Sequence, residues 1–423
     1  MDRRFFLKKS GIALAGIGAM ASSPAFLRQF ANGASLSKTN GKKTLVVIFQ
    51  RGAVDGLNMI APFGDPEYYN IRRTIAVPKP GNENGAIDLD GFFGFNPSLK
   101  PLEKYWKDKN LAVIHSAGSP DNTRSHFDAQ DYMESGTPGI KSTRDGWLNR
   151  ALQDHQSPDA SPFRAVAMTQ QIPRTLMGRY PTVAMTNLQT FAIRAGSYTN
   201  TVSGGFEGIW QQNANDSLGE TGKETFEAIN YLKTANPSKY KPENGAQYPA
   251  GQFGTNLRQI AQLIKAGVGL EAAFTDTPGL NWDTHFNQAL QNGGRGQLAN
   301  LLRTFGQGID AFVTDLGKHM ENVLVLTMSE FGRTAQENGS RGTDHGHGNA
   351  MIAIGNSVKG GKVYGEWKGL KPDQLDRGRY LAVTTDFRDV LSEVSNKFLG
   401  TKDLNTVFPR YNPNPANFKG FIS

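Results

Sequence analysis

Only seven histidines occur in 423 residues, and five of them (His115, His126, His285, His345 and His347) lie in or beside short polar segments that border apolar runs. The densest group is Ser329-Glu330-Phe331-Gly332-Arg333-Thr334, a glycine-rich loop, and then Asp344-His345-Gly346-His347-Gly348. Imidazoles and carboxylates gathered in this way are the donors of a metal site or of an acid–base pair. Trp282-Asp283-Thr284-His285 sets a carboxylate and an imidazole two residues apart. In an extended segment they face the same side and suit one ion, although a plain surface loop has the same spelling. Asp55, within Gly52-Ala53-Val54-Asp55-Gly56, either shapes a tight turn or offers a carboxylate to a cation. In Arg124-Ser125-His126-Phe127-Asp128, Ser125 with Asp128 three residues on reads as a helix cap. A hydroxyl there sits where backbone N–H groups and the helix dipole favour an anion, and Arg124 beside it can grip phosphate or sulfate through two parallel hydrogen bonds. His115, inside an apolar run, reads as a core histidine; His155 and His319 read as bystanders.

These segments need elements to hold them. Lys43–Phe49, Leu111–His115, Val323–Thr327 and Ala350–Ile354 are short apolar runs rich in branched residues, and read as buried strands. Phe253, Leu257, Ile260, Leu263 and Ile264 have helical spacing, as do Leu298 to Leu316 and Phe387 to Phe398, the last with Thr385 as cap and Gly400 as stop. Apolar strands alternating with amphipathic helices predict an α/β fold: a three-layer α/β/α sandwich around a mixed, mostly parallel sheet, its polar residues just past the strand ends. Residues 180–250, rich in Asn, Gly, Ser, Thr and Gln, predict an insertion on a single domain spanning 35–423. No glycine-rich nucleotide signature follows a strand.

Composition narrows the chemistry. With no cysteine, a disulfide scaffold, a thiolate-held zinc, an iron–sulfur cluster and a thiol nucleophile are all excluded, so any metal is held by His, Asp, Glu or neutral oxygen. Half of the +8 net charge belongs to residues 1–34, where Arg3, Arg4, Lys8, Lys9 and Arg28 face Asp2 alone. The rest is spread without a basic run, which argues against a nucleic-acid partner. Asp2-Arg3-Arg4-Phe5-Phe6-Leu7-Lys8-Lys9, an uncharged Gly/Ala-rich stretch and small residues near Ala34 form a charged, then apolar, then cleavable leader. The twin arginine resembles a Tat signal, so the Tat export machinery is the expected partner and the periplasm or another extracytoplasmic space the expected location. The apolar stretch is too short to span a bilayer, and no stable membrane span is expected in the mature chain.

Together, the segments around Asp55, Arg124-Ser125-His126-Phe127, Asp283-Thr284-His285, Glu330-Phe331-Gly332-Arg333 and Asp344-His345-Gly346-His347 resemble the DUF1501 family of exported bacterial proteins, thought to be a distant branch of the alkaline phosphatase and sulfatase superfamily. The resemblance implies metal ligands at Asp55, Asp283, His285, Glu330 and His345, with His126 or His347 as further candidates. It implies Ser125 as hydroxyl nucleophile, Arg124 or Arg333 offsetting charge on the transferred group, and His347 as ligand or proton donor. Arg333 has a second reading, an ion pair orienting Glu330. Where such phosphatases commonly have Asp-His, this chain has Glu330-Phe331, so one ligand position is altered. The implied activity is hydrolysis of a small anionic phosphate or sulfate ester with a divalent metal, zinc, manganese or calcium. The alternative is a non-catalytic exported binding or assembly protein that keeps the fold and one structural ion.

Overall fold

The structure is a computed structural model that describes residues 42–154, 163–188, 240–289 and 296–423. The leader, residues 1–34, and residues 189–239 of the expected insertion lie outside the described residues.

Nine strands form one sheet: β1 (Thr44–Phe49), β2 (Leu111–Gly118), β3 (Ala165–Ala167), β4 (Val183–Ala184), β5 (Ala272–Asp276), β6 (Val323–Met328), β7 (Asn349–Ile354), β8 (Lys362–Tyr364) and β9 (Thr385–Asp386). Their order is β8-β2-β7-β6-β1-β5-β3-β4, with β9 also paired to β2. Every pairing is parallel except the two made by β7, which runs against β2 and β6. The expected mixed, mostly parallel sheet is therefore present. All six residues of β1, and of β6 and β7, are buried, which is why these strands read as unbroken apolar runs.

Alternation along β1 separates two cores. Val46 and Ile48 face a layer that includes Leu257, Ile260, Leu302, Phe305 and Ile309. Leu45, Val47 and Phe49 face a layer that includes Met133, Leu148, Phe387, Val390 and Leu391. The first layer carries α3 (Gln252–Lys265) and α4 (Gln297–Leu316); the second carries α1 (His126–Ser135), α2 (Trp147–Gln153) and α5 (Phe387–Glu393). This is the three-layer α/β/α sandwich. Two hydrophobic faces of one sheet each need a helical cover, and the amphipathic stripes of these helices supply it.

Ser125 caps α1 and Gly136 ends it in the left-handed conformation, as their residue types predict. At α5 the cap is Asp386 rather than Thr385: its carboxylate accepts from the Arg388 N–H at 2.9 Å. The helical stretch then continues as a π-helix, Val394–Leu399, and stops at left-handed Gly400. The described ends of the inserted region are tied to the core. β4 extends the sheet edge, and Tyr240 and Tyr248 donate to Asp315 on α4 at 2.6 and 2.7 Å. Among the described residues no helix is long and apolar enough to cross a membrane.

β1, β5 and β6 end abreast, with Phe49 paired to Met328 on one side and to Asp276 on the other. Because β7 is reversed, its first residues lie beside the end of β2, Asn349 opposite Ala117. Exits of four strands and the entrance of a fifth thus share one edge of the sheet.

Candidate metal centre

The loops at that edge are stitched to one another. Gly332 N–H donates to the His347 carbonyl and Gly346 N–H to the Gly332 carbonyl, both at 2.8 Å, pairing the loop after β6 with the one before β7. Gly52, after β1, has φ +115°, and a Cβ there would lie 3.0 Å from the Asp283 backbone nitrogen. Only glycine allows the first loop to pass so close to the Asp283 segment. The same Gly52 donates its N–H to Glu330 Oε1 at 2.8 Å.

Three imidazoles converge here. His345 Nε2 lies 3.0 Å from His126 Nε2 and 3.2 Å from His285 Nε2. The Asp283 carboxylate completes the group, with Oδ1 3.0 Å from His285 Nε2 and 3.2 Å from His345 Nε2, and Oδ2 3.5 Å from His126 Nε2. Each ring is oriented from behind through Nδ1: His126 by Glu330 at 2.8 Å, His345 by the Arg124 carbonyl at 3.1 Å, His285 by Asp344 at 3.4 Å. These partners accept, so they favour a proton on each Nδ1, the tautomer in which a ring turns an Nε2 lone pair inward.

Lone pairs 3.0–3.2 Å apart repel unless something positive lies among them. Two agents can provide this. The first is a proton: hydrogen bonds to Asp283 and then Glu330 push His126 up to about 9. The second is a divalent cation. Donors about 2.0–2.1 Å from a tetrahedral zinc are roughly 3.3 Å from one another, close to the spacings among His126, Asp283 and His345. The donor set is nitrogen-rich with one carboxylate, which suits zinc-like ions, whereas calcium takes six to eight oxygens. Among the described residues only His126, Asp283 and His345 bring one donor atom each within 4.8 Å of one another; His285 lies beside His345 and Asp283 but outside that set. The residues fit a divalent transition cation.

The carboxylates are prepared for it. Burial alone raises Asp283, but hydrogen bonds from His126, His345 and Arg333 together outweigh it and hold the group far below the usual carboxylate range. Burial likewise raises Glu330, and donors from His126, Gln130 and its own and Gly52 backbone N–H groups bring it below its ordinary value. Glu330 is almost wholly buried behind His126. It therefore orients a ligand instead of joining the inner set expected for it.

Other expected roles shift as well. Arg333 is buried and pairs with Asp283 at 2.5 Å, not with Glu330, while its Nη2 donates to the Thr343 carbonyl at 2.5 Å. Spent in this way, it positions Asp283 and does not reach a transferred group. His347 has both nitrogens engaged, by Asp376 at 2.9 Å and the Ser119 carbonyl at 2.8 Å, so neither is left for the cluster. Asp55 is fully buried, paired with Arg72 at 2.6 Å and hydrogen-bonded by Gln288. It connects to the cluster only through a relay: Thr343 Oγ1 donates to Gln288 Oε1 at 2.9 Å, and Arg333 Nε donates to Thr343 Oγ1 at 3.2 Å. Ser125 is exposed, and its Oγ accepts weakly from the Asp128 N–H at 3.4 Å. Arg124 lies 3.9 Å over the Tyr380 ring, and its Nε and Nη2 are buried without a hydrogen-bond partner.

Sequence reasoning did not single out Arg72, Gln288, Thr343 or Gln130. They are ordinary polar residues outside the motifs, and only their burial and partners reveal them. His115 is a core histidine, with burial lowering it to about 4. Phe331, in place of the expected imidazole, is buried against His126 and His345, with ring centroids 4.9 and 5.2 Å away.

The family described as "Protein of unknown function (DUF1501)" matches residues 106–403, well over half of the chain. A search of the curated proteins finds no match. Among solved structures, the PsFucS1 sulfatase from Pseudoalteromonas sp. is similar at 11% identity and TM-score 0.39, covering 99% of this chain and 77% of that one. The C-terminal periplasmic domain of EcEptC from Escherichia coli, in complex with Zn, is similar at 10% identity and TM-score 0.34, covering 76% and 75%. Alkaline phosphatase from the Antarctic bacterium TAB5 is similar at 11% identity and TM-score 0.30, covering 75% and 92%.

Proposed function

The chain belongs to the DUF1501 family, and for it we propose a metal-dependent hydrolase of phosphate or sulfate esters. One observation carries the proposal: His126, His345 and Asp283 bring donor atoms within 4.8 Å of one another at the strand-end edge of the sheet, with His285 Nε2 3.2 Å from His345 Nε2. His126, His345 and Asp283 would hold a divalent cation there, which would supply polarisation of a non-bridging ester oxygen and a lowered pKa for a hydroxyl or water. The protein's own residues do the rest. Glu330, Asp344 and the Arg124 carbonyl hold the three rings in the tautomer that presents Nε2. Arg333 fixes the Asp283 carboxylate. Arg124, with two buried guanidinium nitrogens unpaired, offers donors to the oxygens of an anionic group. Ser125, at the start of α1 and adjacent to His126, is the hydroxyl assigned to the attack in this reading, its Oγ accepting only a weak capping bond.

The test is metal content after purification, followed by turnover of nitrophenyl phosphate and nitrophenyl sulfate by the native chain, Asp283→Asn and Ser125→Ala. Protein without a tightly held divalent metal overturns the proposal. Activity lost in Asp283→Asn but kept in Ser125→Ala assigns the attack to water. A second reading, a non-catalytic protein that keeps one ion for stability, draws on Phe331, whose ring fills the place of an imidazole. Bound metal without turnover of either ester selects it. Export through the twin-arginine route belongs to the same proposal and rests on Arg3-Arg4-Phe5-Phe6-Leu7-Lys8. Replacing both arginines with lysine is expected to leave the protein in the cytoplasm.

A further inference from the structure

Among the described residues only three large hydrophobic side chains are exposed: Phe127 at 88%, Phe286 at 56% and Met177 at 41%. Two of these three directly follow a histidine of the convergent cluster, Phe127 after His126 and Phe286 after His285. Both histidines bring Nε2 within 3.2 Å of His345 Nε2, so the two phenylalanines lie on separate chain segments, each one residue along the chain from a histidine of the cluster.

Neither ring is left out by a loose backbone. Phe127 lies in the first turn of α1, whose cap and left-handed stop are both formed. Phe286 lies between His285, whose carbonyl accepts from Asn338 at 2.8 Å, and Asn287, whose N–H donates to the Ser340 carbonyl at 3.1 Å. Rigidly held aromatic rings in water forgo the burial that a phenyl group normally gains, and gain it on contact with a ligand face. What binds between them is indicated by charge. The cluster has donors of the kind that hold a cation, and Arg124, two residues before His126 and one before the cap of α1, has buried Nε and Nη2 without partners. A ligand answering both features has an anionic head and a flat apolar face.

We propose that Phe127 and Phe286 are specificity-determining residues for a ring-bearing ester, its phosphate or sulfate head directed to the cluster and Arg124, its aryl or similarly flat alcohol portion packed on the two rings. This rests on the ester-hydrolase reading for the head group, but the ring contact can be measured without turnover. Metal-loaded protein would be titrated calorimetrically with phenyl phosphate, methyl phosphate and inorganic phosphate, alongside Phe127→Ala and Phe286→Ala. Phenyl phosphate is expected to bind roughly tenfold more tightly than methyl phosphate, and each substitution to remove a severalfold part of that preference while leaving inorganic phosphate unchanged. Both side chains are exposed, so the variants are expected to keep the native unfolding midpoint. Equal affinities for phenyl and methyl phosphate, or a preference untouched in both variants, overturns the proposal. A ring preference that depends on the phenylalanines in a protein with no esterase activity upholds it and rejects the hydrolase. Turnover of methyl and aryl esters alike, unaffected by either substitution, does the reverse.

Discussion

Replacing Arg72 with methionine tests whether Asp55 serves the fold or the metal. The Arg72 side chain is fully buried and makes four internal hydrogen bonds: Nη1 to Asp55 Oδ2 at 2.6 Å and Asn58 Oδ1 at 2.8 Å, Nε to the Ala335 carbonyl at 2.7 Å, and Nη2 to the Thr334 carbonyl at 2.8 Å. Methionine fills most of the volume and supplies none of these donors. Breaking a buried pair by removing one partner costs about 3–5 kcal/mol, because the other charge stays in the interior. Here Asp55 already has one buried oxygen without a partner and would keep only the Gln288 amide on the other. The two carbonyls that lose donors add to the cost. A loss of about 4 kcal/mol or more is expected, read from the midpoint of urea unfolding at unchanged slope. The double variant Arg72→Met, Asp55→Leu should recover a large share, since it removes the stranded charge. Metal content should persist in Asp55→Asn at temperatures where that variant remains folded. A loss below about 1 kcal/mol for Arg72→Met, together with metal lost from a fully stable Asp55→Asn, would refute this reasoning and return Asp55 to the ligand set.

Three further outcomes follow from the geometry. In metal-free protein His126 is raised to about 9 from an ordinary 6.5, so its contribution to stability is complete below about pH 6.5 and disappears as pH rises through 9; urea midpoints measured in chelator across that range should fall, and a flat profile contradicts the Asp283 and Glu330 contacts. His345→Ala should abolish tight metal binding, while Arg333→Lys, which keeps the charge but not the fork to Asp283 and Thr343, should weaken it by roughly 10- to 100-fold in a competition assay against a chelating dye. Gly52→Ala should lower both stability, by about 2 kcal/mol or more, and metal affinity, because its φ is +115° and the added carbon meets the Asp283 backbone; an unchanged unfolding midpoint would contradict that close approach.

The sheet was legible because its central strands are buried on both faces and spell the short apolar runs read at Lys43–Phe49, Leu111–His115, Val323–Thr327 and Ala350–Ile354. β5, which delivers Asp283 and His285, was not found: Ala272–Asp276 is five residues with two alanines, too short and too weakly branched to stand out. The scarcity of histidine marked the site, and His126, His285 and His345 do meet. What sequence could not separate was a ligand from its support. Glu330 and His347 have the same chemistry as the residues that converge, and only the direction of each side chain and the atoms already claiming it separate them. The capping of α5 is a smaller case of the same kind, Thr385 and Asp386 being adjacent and both eligible.

The reversed direction of β7 has one more consequence. It sends the chain back to the edge it has just left, so the stretch between Met328 and Asn349 supplies both His345 and the carboxylate behind His126, while His126 itself and Asp283 arrive from remote positions. No fragment of the molecule holds a complete set of donors. Capture of an ion at this site would therefore be tied to closure of the whole sheet, and its release on heating would coincide with global melting, making such an ion a reporter of native topology.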